Sequence, residues 1–327
     1  MKTMDTLLKI NEEDTKIKQF THTDLDGIAP EMMLRTALPN TDFSVEYCSY
    51  NSLYKRLMNF LNSEEVNEVN KIIITDLSIN DTEKDLIEAL NQHSDKVILI
   101  DHHKSTFHLN QYDWAFVSDI HESGKIASTS SLMLNYLGKS MLLPTGQTLE
   151  NMKSFAEEVR LYDTWDWKTN TTSLLYFLNE MFYLLGGNDF KQKYLARDLD
   201  TTPTTEDKAI LFALEKKYKQ YLDKKPSHLK YAKVPYKDSE IEVAMVVSDT
   251  YISELGNDLL HHKKVHADMI IILNFNTKNA SFRSKDSSID CTYFAKQLGG
   301  GGHPKASGSP LNEDLIDLYL DLYLPIK

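Results

Sequence analysis

Val97-Ile98-Leu99-Ile100 runs directly into Asp101-His102-His103, and this stretch decides the fold. Four aliphatic residues without polar alternation predict a strand that is buried on both faces of a parallel sheet. Ligands of open α/β sheets bind at the carboxyl ends of such strands, so Asp101, His102 and His103 are expected where chemistry takes place. Carboxylate and imidazole groups are common metal ligands, and the stretch therefore indicates a metal site.

A second stretch repeats this pattern. Lys71-Ile72-Ile73-Ile74-Thr75 predicts another buried strand, and Asp76 follows at its end. Asp76 could instead cap the next helix, because aspartate is a favoured N-cap residue. Asp81 and Thr82 are better placed for that role, which leaves Asp76 as a candidate ligand.

A third stretch carries three ligand-type residues at alternate positions. The predicted strand Ile17–Phe20 continues into Thr21-His22-Thr23-Asp24-Leu25-Asp26-Gly27. On an extended chain, His22, Asp24 and Asp26 would point to one face. The alternative is a polar strand end whose aspartates cap a helix. Three ligand-type residues in alternation favour the metal-site interpretation.

Two more polar stretches flank predicted helices of the N-terminal half. The helix predicted over Leu149–Leu161 leads into Tyr162-Asp163-Thr164-Trp165-Asp166, where both Asp163 and Asp166 are candidate ligands. Ala127-Ser128-Thr129-Ser130-Ser131 precedes another predicted helix. We interpret its hydroxyl groups as a helix cap in preference to a phosphate contact.

The order of predicted elements indicates an α/β protein of two domains. Strands alternate with helices over the first half, which predicts βαβ units and a parallel sheet. Residues 191–235 are rich in Lys, Asp, Glu and Thr and contain three prolines, so we interpret them as a helical linker. Strands and helices follow again and predict a smaller domain with a mixed sheet. The predicted division is therefore residues 1–190, linker 191–235 and residues 236–327.

Four consecutive glycines, Gly299 to Gly302, stand before His303-Pro304-Lys305. Such a run is entropically costly and is useful where backbone amides must approach a ligand closely. A flexible linker is the alternative, but the residues that follow are not the serine and glycine typical of one. The run therefore predicts a phosphate-binding loop.

Composition restricts the classes of function. The chain has 327 residues with 36 basic and 48 acidic side chains, which gives a net charge of −12. This charge argues against binding of long duplex nucleic acid through a broad basic surface. It is compatible with a small phosphorylated substrate, because bound metal ions reverse the charge locally.

Cysteine usage and hydropathy predict the compartment. Only two cysteines occur, Cys48 and Cys291, so neither a disulfide framework nor a cysteine zinc site is expected. The N-terminal residues lack the apolar core of a signal peptide, and no apolar run is long enough to span a bilayer. We therefore expect a cytoplasmic protein without a membrane partner.

Together these motifs resemble those of the DHH phosphoesterase superfamily. His22-Thr23-Asp24-Leu25-Asp26-Gly27 resembles the first motif, Thr75-Asp76 the second and Asp101-His102-His103 the third. The stretch Tyr162 to Trp165 resembles the fourth, and Phe282-Arg283-Ser284 and Gly299 to His303 resemble the DHH-associated C-terminal domain. Within this superfamily the first four motifs are most similar to the nanoRNase B branch. The resemblance implies a parallel-sheet DHH domain, a smaller mixed-sheet domain and an active site in the cleft between them.

The resemblance also implies a role for each matching residue. His22, Asp24 and Asp76 would hold one Mn²⁺, and Asp26, Asp76, His102 and Asp163 a second, with other divalent ions as alternatives. Asp101 would orient His102, and His103 would face the scissile phosphate. The terminal phosphate or nucleotide would be bound by residues of the second domain, namely Arg283, Ser284, Gly300, Gly301, Gly302 and His303. The choice of Asp163 over Asp166 rests on the resemblance alone.

The expected activity is metal-dependent hydrolysis of RNA a few residues long to mononucleotides, by a two-metal mechanism. One alternative is a phosphatase or phosphodiesterase acting on pAp, on linear or cyclic dinucleotides or on cyclic mononucleotides. A further alternative is a non-catalytic nucleotide-binding regulator, which would predict gaps among the ligands. The oligomeric state is left open, with a homodimer as one option.

Overall fold

A computed structural model describes residues 3–11, 13–164, 166, 177–285 and 288–323. The chain divides into two compact units, Met1–Thr204 and Thr205–Lys327. The predicted limits 1–190, 191–235 and 236–327 stay a prediction. Within the expected linker, the structure contains a helix and a strand, which are given below with the second unit.

The first unit is built on a parallel sheet. Among the described residues this sheet has five strands in the order β2-β1-β3-β4-β5, and each neighbouring pair is parallel. The strands are β1 (Lys16–Thr21), β2 (Asp42–Tyr47), β3 (Lys71–Thr75), β4 (Val97–Asp101) and β5 (Ala115–Val117). All five residues of β4 are buried, as its unbroken apolar run predicts. The carboxyl ends of β1, β3 and β4 therefore meet at one edge of the sheet.

Helices and short 3-10 segments join these strands. The helices are α1 (Leu25–Ala37), α2 (Tyr50–Leu61), α3 (Lys84–Gln92), α4 (Thr129–Lys139), α5 (Gly146–Asp163), α6 (Phe177–Leu185) and α7 (Gly187–Leu195). The 3-10 segments are Met4–Thr6, Glu64–Glu68 and Lys104–Gln111. On one face of the sheet, Leu57 of α2 and Leu86 of α3 pack with Ile72, Ile74 and Leu99 in a buried apolar core.

The structure corrects the expectation that the chain stays extended from His22 to Asp26. Asp24 has an extended backbone and is the N-cap of α1, which begins at Leu25. Asp26 therefore lies in the first turn of a helix, and the three side chains do not share the face of a strand. All three still lie near Asp76, because α1 starts directly after the end of β1.

The second unit is built on a mixed sheet. Its described strands follow the order β10-β11-β9-β8-β7-β6, with a parallel β7–β8 pair and antiparallel pairs elsewhere. The strands are β6 (Lys230–Tyr236), β7 (Ser239–Val247), β8 (Met269–Asn274), β9 (Asn279–Ser284), β10 (Gly301–His303) and β11 (Ala306–Pro310). The helices are α8 (Thr205–Lys224), α9 (Ile252–His261), α10 (Cys291–Gln297) and α11 (Glu313–Tyr323), with a 3-10 segment at Lys225–His228.

These two sheets confirm the predicted α/β class, with a parallel sheet followed by a mixed one. The expected linker contains α8 and also β6, which pairs along its length with β7. Among the helices that the structure describes, none has the length and apolar composition needed to cross a bilayer.

Candidate metal and active site

The end of β1 places His22 and Asp24 beside Asp76. The Nδ1 atom of His22 lies 2.8 Å from Oδ2 of Asp24 and 3.7 Å from Oδ2 of Asp76. Asp24 also accepts a hydrogen bond from the backbone N–H of Gly27 at 3.0 Å. A Cβ atom on Gly27 would lie 2.4 Å from the carbonyl oxygen of His22. Only glycine therefore allows the first turn of α1 to fold back so closely onto His22.

Asp76 follows β3 in a conformation that aspartate adopts at a cost. Its φ angle is 56°, in the left-handed region, and its backbone N–H donates to the carbonyl of Ile100 at 3.2 Å. A non-glycine residue held in this region stores strain of about 1 kcal/mol or more, and such strain concentrates at functional sites. The side chain of Asp76 is 3% exposed and lies between the residues that follow β1 and β4.

The end of β4 arranges Asp101, His102 and His103. Oδ1 of Asp101 accepts one hydrogen bond from the backbone N–H of His102, at 2.8 Å, and one from Nδ1 of His103, at 2.7 Å. Nδ1 of His102 lies 3.0 Å from the carbonyl oxygen of Ala127. Because this oxygen can only accept, Nδ1 carries the hydrogen and Nε2 of His102 remains for a metal.

These bonds correct one assigned role. Asp101 was expected to orient the ring of His102, but the carbonyl of Ala127 holds that ring. The carboxylate of Asp101 instead holds the ring of His103 and the backbone of His102. A backbone carbonyl, and not the carboxylate of Asp101, therefore sets the orientation of the His102 ring.

Nε2 of His102 faces a group of carboxylates. It lies 3.5 Å from Oδ1 of Asp76, 3.7 Å from Oδ2 of Asp163 and 3.9 Å from Oδ2 of Asp26. Asp26 comes from α1 and Asp163 is the last residue of α5. Four separate elements therefore deliver side chains to one place.

The N-terminus of α4 holds two of these carboxylates. The backbone N–H groups of Thr129 and Ser130 donate to Asp26 at 2.7 and 2.9 Å, one to each oxygen. The hydroxyl of Thr129 donates to Oδ1 of Asp76 at 3.1 Å. Sequence reasoning assigned this hydroxyl cluster only to capping, and Ser128 does cap α4 by accepting from the N–H of Ser131. The unbroken run of small hydroxyl residues before an apolar helix was the signal that could have identified the additional role.

Asp163 and Asp166 have different partners. Asp163 lies near His102 and Asp26, whereas Asp166 accepts a hydrogen bond from the Arg160 guanidinium at 2.7 Å. Arg160 is 2% exposed and also donates to the carbonyl of Ile126, next to Ala127. Trp165 of the same motif lies outside the described residues.

The side chains form three groups whose oxygen and nitrogen atoms lie within 4.8 Å of one another. Asp76 belongs to two of the groups, and so does His102. The groups consist of His22, Asp24 and Asp76; of Asp26, His102 and Asp163; and of Asp76, Asp101, His102 and His103. The donors are carboxylate oxygens and imidazole nitrogens without sulfur, a set that suits Mn²⁺ or Mg²⁺ better than structural zinc.

The electrostatics of the cluster also favour a cation. Burial and the carboxylates of Asp24 and Asp26 raise the pKa of Asp76 well above its usual range. Burial raises the pKa of Asp163 to about 7, with Asp26 adding to the shift and His102 opposing it. Burial alone would lower the pKa of His102, but Asp163 and Asp26 reverse this and raise it to about 9. The cluster therefore carries crowded carboxylates whose negative charge divalent ions would neutralise.

The predicted residues of the second unit lie in and around β9 and β10. The guanidinium of Arg283 donates to the hydroxyl of Ser253 at 3.1 Å. Ser284 is buried and donates to the carbonyl of Ile289 at 2.8 Å. His303 is exposed at the end of β10. The roles of these side chains in binding substrate stay predictions.

Close backbone contacts explain why two residues of the glycine run, Gly300 and Gly302, are glycines. Gly301 and Gly302 belong to β10, which pairs with β11. A Cβ atom on Gly300 would lie 2.0 Å from the carbonyl oxygen of Gly308, and one on Gly302 would lie 2.7 Å from that of Ala306. A Cβ on Gly301 would meet no atom of the described residues within 4 Å, so a ligand could approach the backbone there.

Comparisons with known proteins find related chains. The family model described as "DHH family, N-terminal domain" matches residues 16–158. Oligoribonuclease NrnB of Bacillus subtilis (strain 168) is 32% identical over 306 residues, which cover 92% of this chain and 74% of that protein. The likeness to NrnB therefore extends through both units.

Solved structures share the fold at lower identity. An exopolyphosphatase-related protein from Bacteroides fragilis has a TM-score of 0.52 and 17% identity, and the match covers 95% of this chain and 93% of that chain. RecJ from Thermus thermophilus, in complex with Mn²⁺, has a TM-score of 0.53 and 14% identity, and the match covers 94% of this chain and 51% of that chain. At these identities the likeness shows the fold alone.

Proposed function

This chain belongs to the DHH family, and from that premise we propose that it is a metal-dependent phosphodiesterase that hydrolyses short RNA oligonucleotides to mononucleotides. The observation that carries the proposal is the meeting of His22, Asp24, Asp76, His102 and Asp163 in one cluster. These residues follow separate strands and a helix, and the cluster belongs to a chain with 32% identity to an oligoribonuclease.

We assign the metal ligands from the three groups. His22, Asp24 and Asp76 would hold one divalent ion, and Asp26, Asp76, His102 and Asp163 would hold a second. Asp76 is the candidate bridge, because its Oδ2 faces His22 and its Oδ1 faces His102. Bound ions would polarise the phosphate and lower the pKa of water. Two Mn²⁺ ions are our preferred assignment, with Mg²⁺ as the alternative.

The chain's own groups would orient the reacting phosphate. The Nδ1 atom of His103 bonds to Asp101, and we assign the opposite ring atom, Nε2, to the contact with a phosphate oxygen. The fully buried Asp101 keeps this tautomer, much as a carboxylate orients a catalytic histidine elsewhere. Arg283 and the backbone at Gly301 are the candidates for binding a terminal phosphate, since guanidinium groups pair with phosphate through two hydrogen bonds.

Short single-stranded substrates fit the charge of the protein. The net charge is −12, and long nucleic acid is bound mainly through many phosphate contacts to Lys and Arg. A substrate of two to five nucleotides needs few such contacts, and metal ions in the cluster would supply the positive charge. We therefore expect no binding of long duplexes.

The test is hydrolysis of 5′-labelled RNA of two to five residues in Mn²⁺, in Mg²⁺ and in chelator. Samples with a long RNA duplex, pAp, and linear and cyclic dinucleotides run in parallel. Asp76→Asn removes the candidate bridge and keeps the backbone, because asparagine tolerates the left-handed region. Asp81→Asn is the matched control, since Asp81 is exposed and outside the cluster.

We expect metal-dependent shortening of the RNA, a loss of at least a thousandfold in Asp76→Asn and unchanged rates in Asp81→Asn. Turnover of pAp or a dinucleotide with inert short RNA would overturn the substrate and keep the phosphoesterase. Binding of nucleotides without metal-stimulated hydrolysis of any phosphoester would overturn the enzyme assignment in favour of a regulator.

A further inference from the structure

Thr129 touches two carboxylates of the cluster without belonging to any of the three donor groups. It is the first residue of α4 and is fully buried. Its backbone N–H donates to Asp26 at 2.7 Å, and its hydroxyl donates to Oδ1 of Asp76 at 3.1 Å. A single residue of α4 therefore connects the first turn of α1 to the end of β3.

The orientation of the Asp76 carboxylate determines whether its two oxygens face two different donor groups, one with His22 and one with His102. Oδ2 lies 3.7 Å from Nδ1 of His22, and Oδ1 lies 3.5 Å from Nε2 of His102. The final torsion of an aspartate side chain has a broad energy minimum, so the carboxylate rotates easily unless a partner holds it. Rotation by a quarter turn would move both oxygens away from their groups. The Thr129 hydroxyl bonds to one of these oxygens and opposes this rotation.

We propose that Thr129 is a positioning residue of the metal centre, whose hydroxyl fixes the carboxylate of Asp76 in the orientation that lets it serve two metal sites. The inference rests on the proposed function, since it assumes that the cluster binds divalent ions. In this role Thr129 acts through Asp76 and is not itself a ligand. Hydrogen-bonding partners of metal ligands typically affect metal affinity by about 10- to 100-fold.

The neighbouring hydroxyls show that this bond is specific to position 129. In the fully described segment 128–131, the Oγ atoms of Ser128 and Ser130 lie 2.8 Å apart, and Ser131 donates to the carbonyl of Ser128. These bonds stay within the cap of α4. Ser130 contributes its backbone N–H to Asp26, which a change of side chain leaves in place.

The test compares four variants with the unaltered chain. Thr129→Val keeps the shape and removes the hydroxyl, and Thr129→Ser keeps the hydroxyl. Thr129→Ala is the second variant without a hydroxyl, in case valine prevents folding. Ser131→Ala is the matched control, because it removes a buried hydroxyl of the same turn whose hydrogen bond stays within the cap of α4. Mn²⁺ affinity is measured by calorimetry on metal-free protein, unfolding by urea in chelator, and kcat and KM with short RNA.

We expect Thr129→Val and Thr129→Ala to bind Mn²⁺ at least tenfold more weakly than the unaltered chain. Thr129→Ser and Ser131→Ala should stay within threefold. At saturating Mn²⁺, kcat of the two variants without a hydroxyl should fall tenfold or more, with KM within twofold. A purely structural role would lower the urea midpoint and leave these ratios unchanged.

The outcomes separate this inference from the proposed function. If the unaltered chain binds Mn²⁺ and both variants without a hydroxyl bind it within threefold, the inference is overturned and the metal site stands. If Thr129→Ser loses affinity as strongly as Thr129→Val, the hydroxyl is not the cause and the inference is also overturned. If the unaltered chain binds no divalent ion, the proposed function and the inference both fail.

Discussion

Replacing Asp163 by asparagine should stabilise the metal-free protein and weaken its response to metal. Asp163 is the last residue of α5, where the partial negative charge of the helix end opposes a carboxylate. Burial and the nearby Asp26 raise its pKa to about 7, against the opposing effect of His102. Without metal ions, the ionised carboxylate therefore costs folding energy, which an uncharged amide of the same shape would not.

The size of this cost follows from the pKa. The difference between the usual 3.8 and about 7 corresponds to about 4 kcal/mol at alkaline pH. The side chain is 27% exposed, and solvent reduces the cost, so we expect about 2 kcal/mol. Below about pH 4 the group is protonated in both folded and unfolded chains and has no effect. As pH rises from about 4 to about 7, the unfolded chain releases its proton before the folded chain does, so the unaltered chain loses stability over this window and the variant does not.

Metal ions should reverse the order of stability. A ligand present at a hundred times its dissociation constant stabilises a folded protein by about 2.7 kcal/mol. The unaltered chain should gain this much at saturating Mn²⁺, whereas Asp163→Asn lacks one carboxylate ligand and should gain much less. The variant is then the more stable protein in chelator at pH 8 and the less stable one in Mn²⁺.

The assay is urea unfolding at pH 4, 6 and 8, in chelator and in Mn²⁺. Asp166→Asn is the matched control. It removes the same charge three residues further along the chain, and the carboxylate that it removes pairs with Arg160. It should lose about 1 kcal/mol in chelator and keep the full gain from Mn²⁺. The reasoning is refuted if Asp163→Asn is less stable than the unaltered chain in chelator at pH 8, or if the two variants respond equally to metal.

Three further predictions concern groups outside the metal cluster. Burial raises the pKa of Glu158 to about 6, so Glu158→Gln should match the unaltered chain at pH 4 and exceed it by about 2 kcal/mol at pH 8 in urea unfolding. Arg160→Lys should lose about 2 kcal/mol in the same assay, because lysine cannot reproduce the guanidinium bonds to Glu157, Asp166 and the Ile126 carbonyl. Gly300→Ala should unfold at a lower temperature, because its Cβ would clash with the carbonyl of Gly308. Gly301→Ala should unfold at the same temperature as the unaltered chain and should raise KM for short RNA. An unchanged KM would count against phosphate binding at Gly301.

The location of the candidate site was predictable because it follows from sheet topology. Apolar runs that end in Asp76 or Asp101 mark buried parallel strands, and the carboxyl ends of parallel strands meet at one edge. Burial of all five β4 residues is the direct consequence of its composition. The types of ligand atom could be predicted for the same reason, since polar side chains rarely follow such strands without a role.

The pairing of side chains within the site was not predictable from local sequence. Asp26 accepts hydrogen bonds from the backbone N–H groups of Thr129 and Ser130, which lie 103 and 104 positions further along the chain. No residue near Asp26 in the sequence indicates that contact. The ring of His102 contacts the carbonyl of Ala127, which lies 25 positions further along the chain, just before α4. The glycine run forms part of a strand pair because β11 approaches it, which composition alone does not reveal.

The N-terminus of α4 also restricts how the site can bind a phosphate. Helix N-termini bind anions through free backbone N–H groups, and this one points at the cluster. The N–H groups of Thr129 and Ser130 are already donated to the two oxygens of Asp26, and that of Ser131 to the Ser128 hydroxyl. These donors are therefore occupied by a carboxylate of the cluster and by the cap. A substrate phosphate at this edge must be neutralised by other groups, which is the role we assign to divalent ions and His103.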